Sequence, residues 1–229
     1  MKFIPLYSIL LFSTHLFAQF AIVADKEGCV NIKNKAQQND NDISDQLDNG
    51  FIVYGFKPEN DWVRIHYTKN NIDLQGYATK GGIKYLSEFV KIPLINEPST
   101  KALFLKDSLK VYFENKKFNP RTSKITYSKA DPSKIEKING KKYWGTDGSM
   151  PRLTYLSIRI FKGNKYIELP KNAFDDLFEP NFPYVQIYYD PKTDILYIAS
   201  SNSHATTSYE VLWIIEKGKY KERKIVDGF

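Results

Sequence analysis

The chain has 229 residues, of which 42% are hydrophobic and 15% aromatic, and it carries a formal net charge of +7. This apolar content supports a packed core and excludes an intrinsically disordered chain. The length allows one large domain or two small ones. The 16 tyrosines and 15 phenylalanines favour strands over helices.

The first 18 residues have the three parts of a secretory signal peptide. Lys2 supplies a positive charge, an apolar run extends from Phe3 to Phe12, and the segment that ends at Ala18 fits a cleavage site. The apolar run is shorter than the ~20 residues that a membrane-spanning helix needs. We therefore expect a periplasmic or secreted protein with no transmembrane segment after signal cleavage and no nucleic-acid partner. The basic balance would suit an anionic envelope surface or an acidic protein.

Residues 20–90 consist of short apolar segments separated by turn sequences. The segment DWVRIHY, for example, places Val63, Ile65 and Tyr67 on one face of a strand. The Asn-Gly pair before FIVYGF is a typical hairpin turn. Five or six such strands in so short a stretch predict a small barrel, because closing a sheet hides its edges.

Four stretches of this region, EGCVNIKNKAQ, LDNGFIVYG, DWVRIHY and QGYAT, resemble bacterial SH3-like (SH3b) domains in their order and spacing. Such domains commonly bind cell-wall peptides or dock envelope proteins. The resemblance therefore implies a ligand-binding groove lined by aromatic side chains, for which the candidates are Tyr54, Trp62, Tyr77 and Tyr85. Packing in the domain core is the alternative role for each ring.

Cys29 is the only cysteine, so no internal disulfide can form. The polar residues that precede it do not match a lipid-anchor site. A nucleophilic cysteine would need a nearby base, and after signal cleavage only His66 and His204 remain. We predict that Cys29 packs in the core as a small hydrophobic residue.

Residues 91–100, which contain Pro93 and Pro98, are predicted to form a linker. Residues 101–229 are again strand-rich, so the chain is expected to be all-β, with a sandwich-like C-terminal domain. The segment YEVLWII predicts a strand covered on both faces, and KERKIV predicts a charged edge strand. In TYLSIRIF, alternation places Leu156, Ile158 and Ile160 on one face. The one helical signal is a short turn at 172–178.

No stretch has the ligand pattern of a metal site or the glycine-rich loop that binds nucleotide phosphates. We therefore expect no metal, no cofactor and no catalytic residue. The polar loop that contains His204 lacks the Gly-x-Ser-x-Gly pattern of serine hydrolases. Asp175 and Glu179 have the i, i+4 spacing of a helix face and, together with Asp147, leave a carboxylate-dependent hydrolase open as an alternative.

The C-terminal half resembles a domain of uncharacterised bacterial envelope proteins. Three stretches carry this resemblance: INGKKYWGTDGSMPR, ELPKNAFDDLFEPNF and SNSHATTSYEVLWIIEKGKYKERKI. The sequence thus favours a non-catalytic protein that uses its SH3-like module to bind a cell-wall peptide or an envelope protein. The first alternative is an immunity or inhibitor protein that neutralises an effector directed at the envelope.

Overall fold

The computed structural model describes residues 18–97, 100–203 and 205–228, without the side chains of Asp40 and Ala205. The predicted signal peptide up to residue 17, Pro98 and His204 therefore lie outside the described residues. The chain divides into a first unit that ends at Tyr85 and a second unit that begins at Leu86. Both units are built from antiparallel strands, and the only helices among the described residues are single 3₁₀ turns. The all-β prediction is confirmed.

The first unit is one antiparallel sheet with the strand order β3-β2-β6-β5-β4-β1-β7. Leu47 from one edge strand and Ile83 from the other belong to the same buried cluster, so the sheet curls around a single core. The described strand pairings do not close the sheet, and the predicted barrel is not confirmed. The strands are β1 (Gln19–Val23), β2 (Cys29–Lys33), β3 (Ile43–Asp48), β4 (Ile52–Gly55), β5 (Trp62–Lys69), β6 (Ile72–Thr79) and β7 (Ile83–Tyr85).

Two-residue periodicity explains most of this core. Val63, Ile65 and Tyr67 of β5 all point into it, as the sequence pattern predicts. The prediction for Cys29 was wrong, because this residue is only half-buried. Along β2 it alternates with Val30, which belongs to the core cluster, and so it lies on the opposite face of the strand.

The second unit contains two five-stranded sheets and a two-stranded hairpin. The sheet orders are β15-β14-β11-β10-β9 and β19-β18-β17-β16-β8, and the hairpin pairs β12 with β13. The strands are β8 (Val90–Ile92), β9 (Leu94–Asn96), β10 (Lys101–Lys106), β11 (Leu109–Lys117), β12 (Ile125–Tyr127), β13 (Ile135–Ile138), β14 (Leu153–Lys162), β15 (Lys165–Glu168), β16 (Val185–Asp190), β17 (Ile195–Asn202), β18 (Tyr209–Glu216) and β19 (Lys219–Asp227).

The two large sheets form a sandwich around one core. Val111 and Phe113 of one sheet belong to the same buried cluster as Ile198 and Trp213 of the other. On β18 the side chains of both faces are buried, including that of Leu212, which confirms the prediction of a doubly covered strand. The basic strand β19 is an edge strand, also as predicted.

Three details of this unit differ from the sequence predictions. Half of the predicted linker, residues 91–92 and 94–96, lies in β8 and β9, which pair with β16 and β10, so the chain passes from one sheet to the other at Pro93. A bulge in β14 turns Tyr155 rather than Leu156 into the core, because the extra residue shifts the alternation. The helical turn is limited to a 3₁₀ turn at Lys171–Ala173.

The two ends of the sandwich are closed in different ways. At the end that we call the hairpin end, the strands are joined by the short turns 107–108, 163–164, 191–194 and 217–218. At the other end, the cleft end, the strands are joined by the longer connections 118–152, 169–184 and 203–208.

Candidate functional site

Backbone hydrogen bonds join two of the long connections at the cleft end. The Trp144 amide donates to the carbonyl of Asp176 at 2.9 Å, and the Phe178 amide donates to the carbonyl of Trp144 at 3.0 Å. Gly145 follows with a φ of +110°, and a Cβ atom there would lie 2.5 Å from the Phe178 carbonyl oxygen. Only glycine permits this approach of the two backbones.

The third connection joins the other two through Ser203. Its amide donates to the carbonyl of Glu179 at 3.1 Å. Its hydroxyl donates to the carbonyl of Gly145 at 2.8 Å. Between the three connections lies a cleft of about 540 Å³. The cleft is lined by Gly145, Thr146, Asp147, Ser149, Met150, Arg152, Leu153, Glu179, Pro180, Asn181, Ser203 and Thr207.

Two residues of the cleft have a strained backbone. Glu179 has a φ of +53° and Ser203 a φ of +62°, in the left-handed region that costs a residue with a Cβ atom about 1 kcal/mol. The other described non-glycine residues with positive φ lie in tight turns between paired strands or between the partners of isolated β-bridges, where that conformation is usual. They are Asn60, Asn70, Asn71, Asp107, Asn139, Asp194 and Lys217.

The carboxylate of Glu179 holds the beginning of β14. Its Oε1 atom accepts hydrogen bonds from the amides of Arg152 at 2.5 Å and Leu153 at 3.4 Å. Its Oε2 atom lies 3.3 Å from the Arg152 guanidinium. The Glu179 side chain is only 11% exposed, whereas that of Arg152 is 82% exposed. The negative charge of Glu179 is therefore compensated within the cleft wall.

Beneath the cleft lies a buried polar network centred on Asn202. Its Oδ1 atom accepts hydrogen bonds from the Tyr155 hydroxyl at 2.9 Å, the Ser200 hydroxyl at 2.9 Å and the Asn181 amide at 3.0 Å. Burial raises the pKa of the Tyr155 hydroxyl far above its ordinary value, so this group remains a neutral donor. The network fixes Asn181 of the cleft wall to the sandwich core.

The segment 171–178, which precedes Glu179, is held by a second set of contacts. Arg223 of β19 forms a bidentate ion pair with Asp176, with both N–O distances at 2.6 Å. The carbonyl of Ala173 accepts hydrogen bonds from Arg223 and from the indole of Trp213, at 3.0 and 2.8 Å. Because the pair is largely buried and bidentate, it fixes this wall of the cleft more firmly than a surface pair would.

The aromatic residues predicted to form a groove lie in the first unit. Tyr54 is 5% exposed and Trp62 is 8% exposed, so their rings are buried. Tyr77 and Tyr85 are half-buried, and the Tyr85 hydroxyl donates to the carbonyl of Phe56 at 2.5 Å. The four rings are thus largely part of the packing of this unit rather than an exposed groove.

The structure brings two of the three carboxylates singled out in the sequence to one cleft and places the third elsewhere. Asp147 and Glu179 both line the cleft, whereas Asp175 forms an ion pair with Lys141 at 2.8 Å. Asp175 and Glu179 do not share a helix face, because the helical turn ends at Ala173 and the left-handed Glu179 cannot continue a helix. Arg152 and Ser203 were not predicted as site residues, because their roles depend on contacts with distant segments.

Among the residues that the structure describes, no helix has the length and apolar character to cross a membrane. Within the same ranges, no three His, Cys, Asp or Glu side chains cluster in a way that could hold a metal ion. No protein-family model, curated protein or solved structure matches this chain.

Proposed function

We propose that this chain is a non-catalytic binding protein of the bacterial cell envelope, and that its cleft end holds a peptide segment of the cell wall or of another envelope protein. The observation that carries the proposal is the position of Glu179 and Ser203. Among the described non-glycine residues with a positive φ, these two lie outside tight turns between paired residues, and both line one cleft. Backbone strain of this kind tends to be retained at functional sites.

The dimensions and the lining of the cleft support binding of a small polar segment. A volume of about 540 Å³ lies within the range of ~300–1,000 Å³ that is usual for ligand sites. The lining combines hydroxyl, amide and charged groups with the thioether side chain of Met150. Such a mixture suits a peptide, which offers backbone hydrogen bonds together with apolar side-chain atoms.

The bonding of the Ser203 hydroxyl and the Glu179 carboxylate favours a structural role for these two groups over a catalytic one. The Ser203 hydroxyl donates to the Gly145 carbonyl and lies 2.6 Å from the Thr207 hydroxyl, so it is committed to structural hydrogen bonds. The Glu179 carboxylate is occupied by Arg152 and Leu153. A general acid or base would instead need a group free to exchange a proton with a substrate.

The envelope location and the SH3-like resemblance complete the proposal. The location rests on the signal-peptide pattern of residues 1–18. In the first unit we propose a docking role for the SH3-like domain rather than an aromatic groove, because Tyr54 and Trp62 are buried. The peptide site is therefore assigned to the second unit.

A pull-down from cell-wall and envelope fractions tests this proposal with two matched variants. Ser149→Trp places an indole in the cleft from an exposed lining position, and Ser108→Trp places the same side chain in an exposed turn at the hairpin end. We expect the unchanged chain and Ser108→Trp to retain the same wall fragment or partner protein. Ser149→Trp should lose it at least tenfold.

The identity of the retained material separates the envelope hypotheses. Retention on purified wall would support peptide binding, whereas a single stoichiometric protein without wall retention would favour the immunity or inhibitor role. Equal retention by both tryptophan variants would reject the cleft as the binding site. If the chain hydrolysed envelope material and Glu179→Gln abolished that activity in a folded protein, the non-catalytic proposal would fall.

A further inference from the structure

The charge of the cleft is opposite in sign to that of the whole chain. The chain has a net charge of +7, but the cleft is lined by two carboxylates, of Asp147 and Glu179, and by one cation, Arg152. A cleft whose charge differs from that of the surrounding surface concentrates ligands of the opposite charge. The sign of the uncompensated charge in the cleft therefore indicates the charge of its ligand.

That uncompensated charge belongs to Asp147. Glu179 and Arg152 neutralise each other through their ion pair, and two backbone amides further stabilise the Glu179 carboxylate. Asp147 is exposed in the turn between Thr146 and Gly148, and it forms no ion pair with any residue that the structure describes. The cleft thus offers one carboxylate that has no cation of its own.

An apolar side chain accompanies this carboxylate. Met150 also lines the cleft, and it is 41% exposed, so its thioether side chain is accessible to a ligand. Methionine is flexible and adapts to the shape of aliphatic groups. A carboxylate together with an adaptable apolar side chain complements an ammonium group on an aliphatic stem.

We infer that the cleft binds an amine-bearing peptide side chain, with the ammonium group at Asp147 and its aliphatic stem against Met150. The inference rests on the proposed function and specifies its ligand. A carboxylate-bearing ligand fits less well, because the charge of Arg152 is already balanced by Glu179, and Asp147 would repel a further anion. The amine of a lysine-like side chain is charged at neutral pH, since its ordinary pKa is about 10.4.

Titration of the full chain with two matched peptides tests this inference. The probes are a tripeptide of alanine, lysine and alanine blocked at both termini, and the same tripeptide with the lysine amine acetylated. Binding is followed by the backbone amide chemical shifts of residues 145–150, 152 and 153. We expect the amine peptide to shift these signals and the acetylated peptide to bind at least about fivefold more weakly, because acetylation removes the charge.

Two aspartate variants show whether Asp147 is responsible. Asp147→Asn should weaken binding of the amine peptide about fivefold and remove the preference over the acetylated peptide. Asp107→Asn makes the same change in a turn at the hairpin end and should leave binding unchanged. Raising the salt concentration should weaken binding to the unchanged chain more than to Asp147→Asn.

The outcomes separate this inference from the proposed function. Equal binding of the two peptides, an unaffected Asp147→Asn variant, or no binding up to about 10 mM peptide would each overturn the amine assignment. The cleft would remain the proposed binding site if Ser149→Trp still lost the envelope partner in that case. If Ser149→Trp kept its partner, the proposed function itself would fail, whatever the peptides did.

Discussion

The two ends of the sandwich in the second unit belong to the same sheets but are constructed differently. At the hairpin end, each turn joins strands that are adjacent in sequence and paired in the sheet. At the cleft end, the contacts join connections that are distant in sequence, such as Ser203 with Gly145 and Glu179 with Leu153. The hairpin end is thus specified locally, and the cleft end is specified by the tertiary fold.

The residues in left-handed conformation make the same distinction. At the hairpin end they are Asp107, Asp194, Lys217, Gly163 and Gly218, and all of these except Lys217 are residue types that tolerate this conformation at low cost. At the cleft end, Glu179 and Ser203 adopt it at a higher cost and are held there by hydrogen bonds. Strain that is stabilised by long-range contacts is a better indicator of a site than strain in a turn. The following predictions test this contrast.

Two glycine substitutions, one at each end of the sandwich, should differ most in their effect on the free energy of unfolding. Gly145→Ala combines the left-handed cost with a clash, because the new Cβ would lie 2.5 Å from the Phe178 carbonyl oxygen. We expect it to lower the free energy of unfolding by about 3 kcal/mol. Gly163→Ala at the hairpin end, where no atom lies within 4 Å of the added Cβ, should cost only about 1 kcal/mol. Chemical denaturation of both variants measures the difference, and equal losses would contradict the role given to Gly145.

Loss of the ion pair behind the cleft wall should have the next largest effect. Asp176→Asn leaves the largely buried Arg223 guanidinium without its bidentate partner, and we expect a loss of about 2 kcal/mol. Glu222→Gln removes a more exposed ion pair with Lys224 on the same strand and should cost less than about 0.5 kcal/mol. Urea unfolding of both variants is the measurement. Similar decreases in the free energy of unfolding would show that Asp176 stabilises the fold no more than a surface charge does.

The polar network beneath the cleft should make a smaller contribution. Tyr155→Phe removes one donor to Asn202, but two other donors remain on the same oxygen, so no buried acceptor is left unpaired. We therefore expect a loss of about 1 kcal/mol. Tyr166→Phe, which removes an exposed hydroxyl that donates to Glu168, should change stability by less than about 0.5 kcal/mol. If Tyr155→Phe lowered the free energy of unfolding by more than about 3 kcal/mol, the expectation would be contradicted, because the two remaining donors would then not compensate for the lost hydroxyl.

The smallest effect is a pH dependence at the hairpin end. A hydrogen bond from Lys162 holds the pKa of the Asp194 carboxyl below its ordinary value. A depressed carboxyl pKa stabilises the fold above the unfolded pKa, and this stabilisation is lost as the pH falls through the folded pKa, below about pH 4. Because both side chains are partly exposed, the contribution should be only a few tenths of a kcal/mol. Asp194→Asn, which keeps the turn, should therefore lose less stability on acidification; a steeper loss would contradict the assignment.

The same contrast explains how much could be predicted from the sequence. The stretches KGN, DPKTD and EKGKY carry local turn signals, and each lies between two paired strands. The burial of both faces of β18 also followed from its own residues. These features depend on interactions between neighbours in the chain, which a sequence pattern records directly.

The cleft could not be predicted in this way. The sequence marked Asp147 and Glu179 as candidate site residues, but it could not show what surrounds them. The hydrogen bond from the Leu153 amide to Glu179, for example, depends on the packing of residues 171–178 against β14. The bulge that exposes Leu156 has no local signature in the alternating segment. The aromatic prediction included Tyr54 and Trp62, whose rings are buried, because a sequence pattern shows which residues are aromatic but not which of them are covered.

The central claim is that the cleft end is the working end of this protein, and site-specific photo-crosslinking tests it most directly. A photoreactive phenylalanine analogue would replace Ser149 in the cleft, Ser108 at the hairpin end and Tyr77 in the first unit, each in the full chain exposed to envelope material. We predict that one species is crosslinked from position 149 and not from the other two. Crosslinking of that species from position 77 or 108, with none from position 149, would contradict the account.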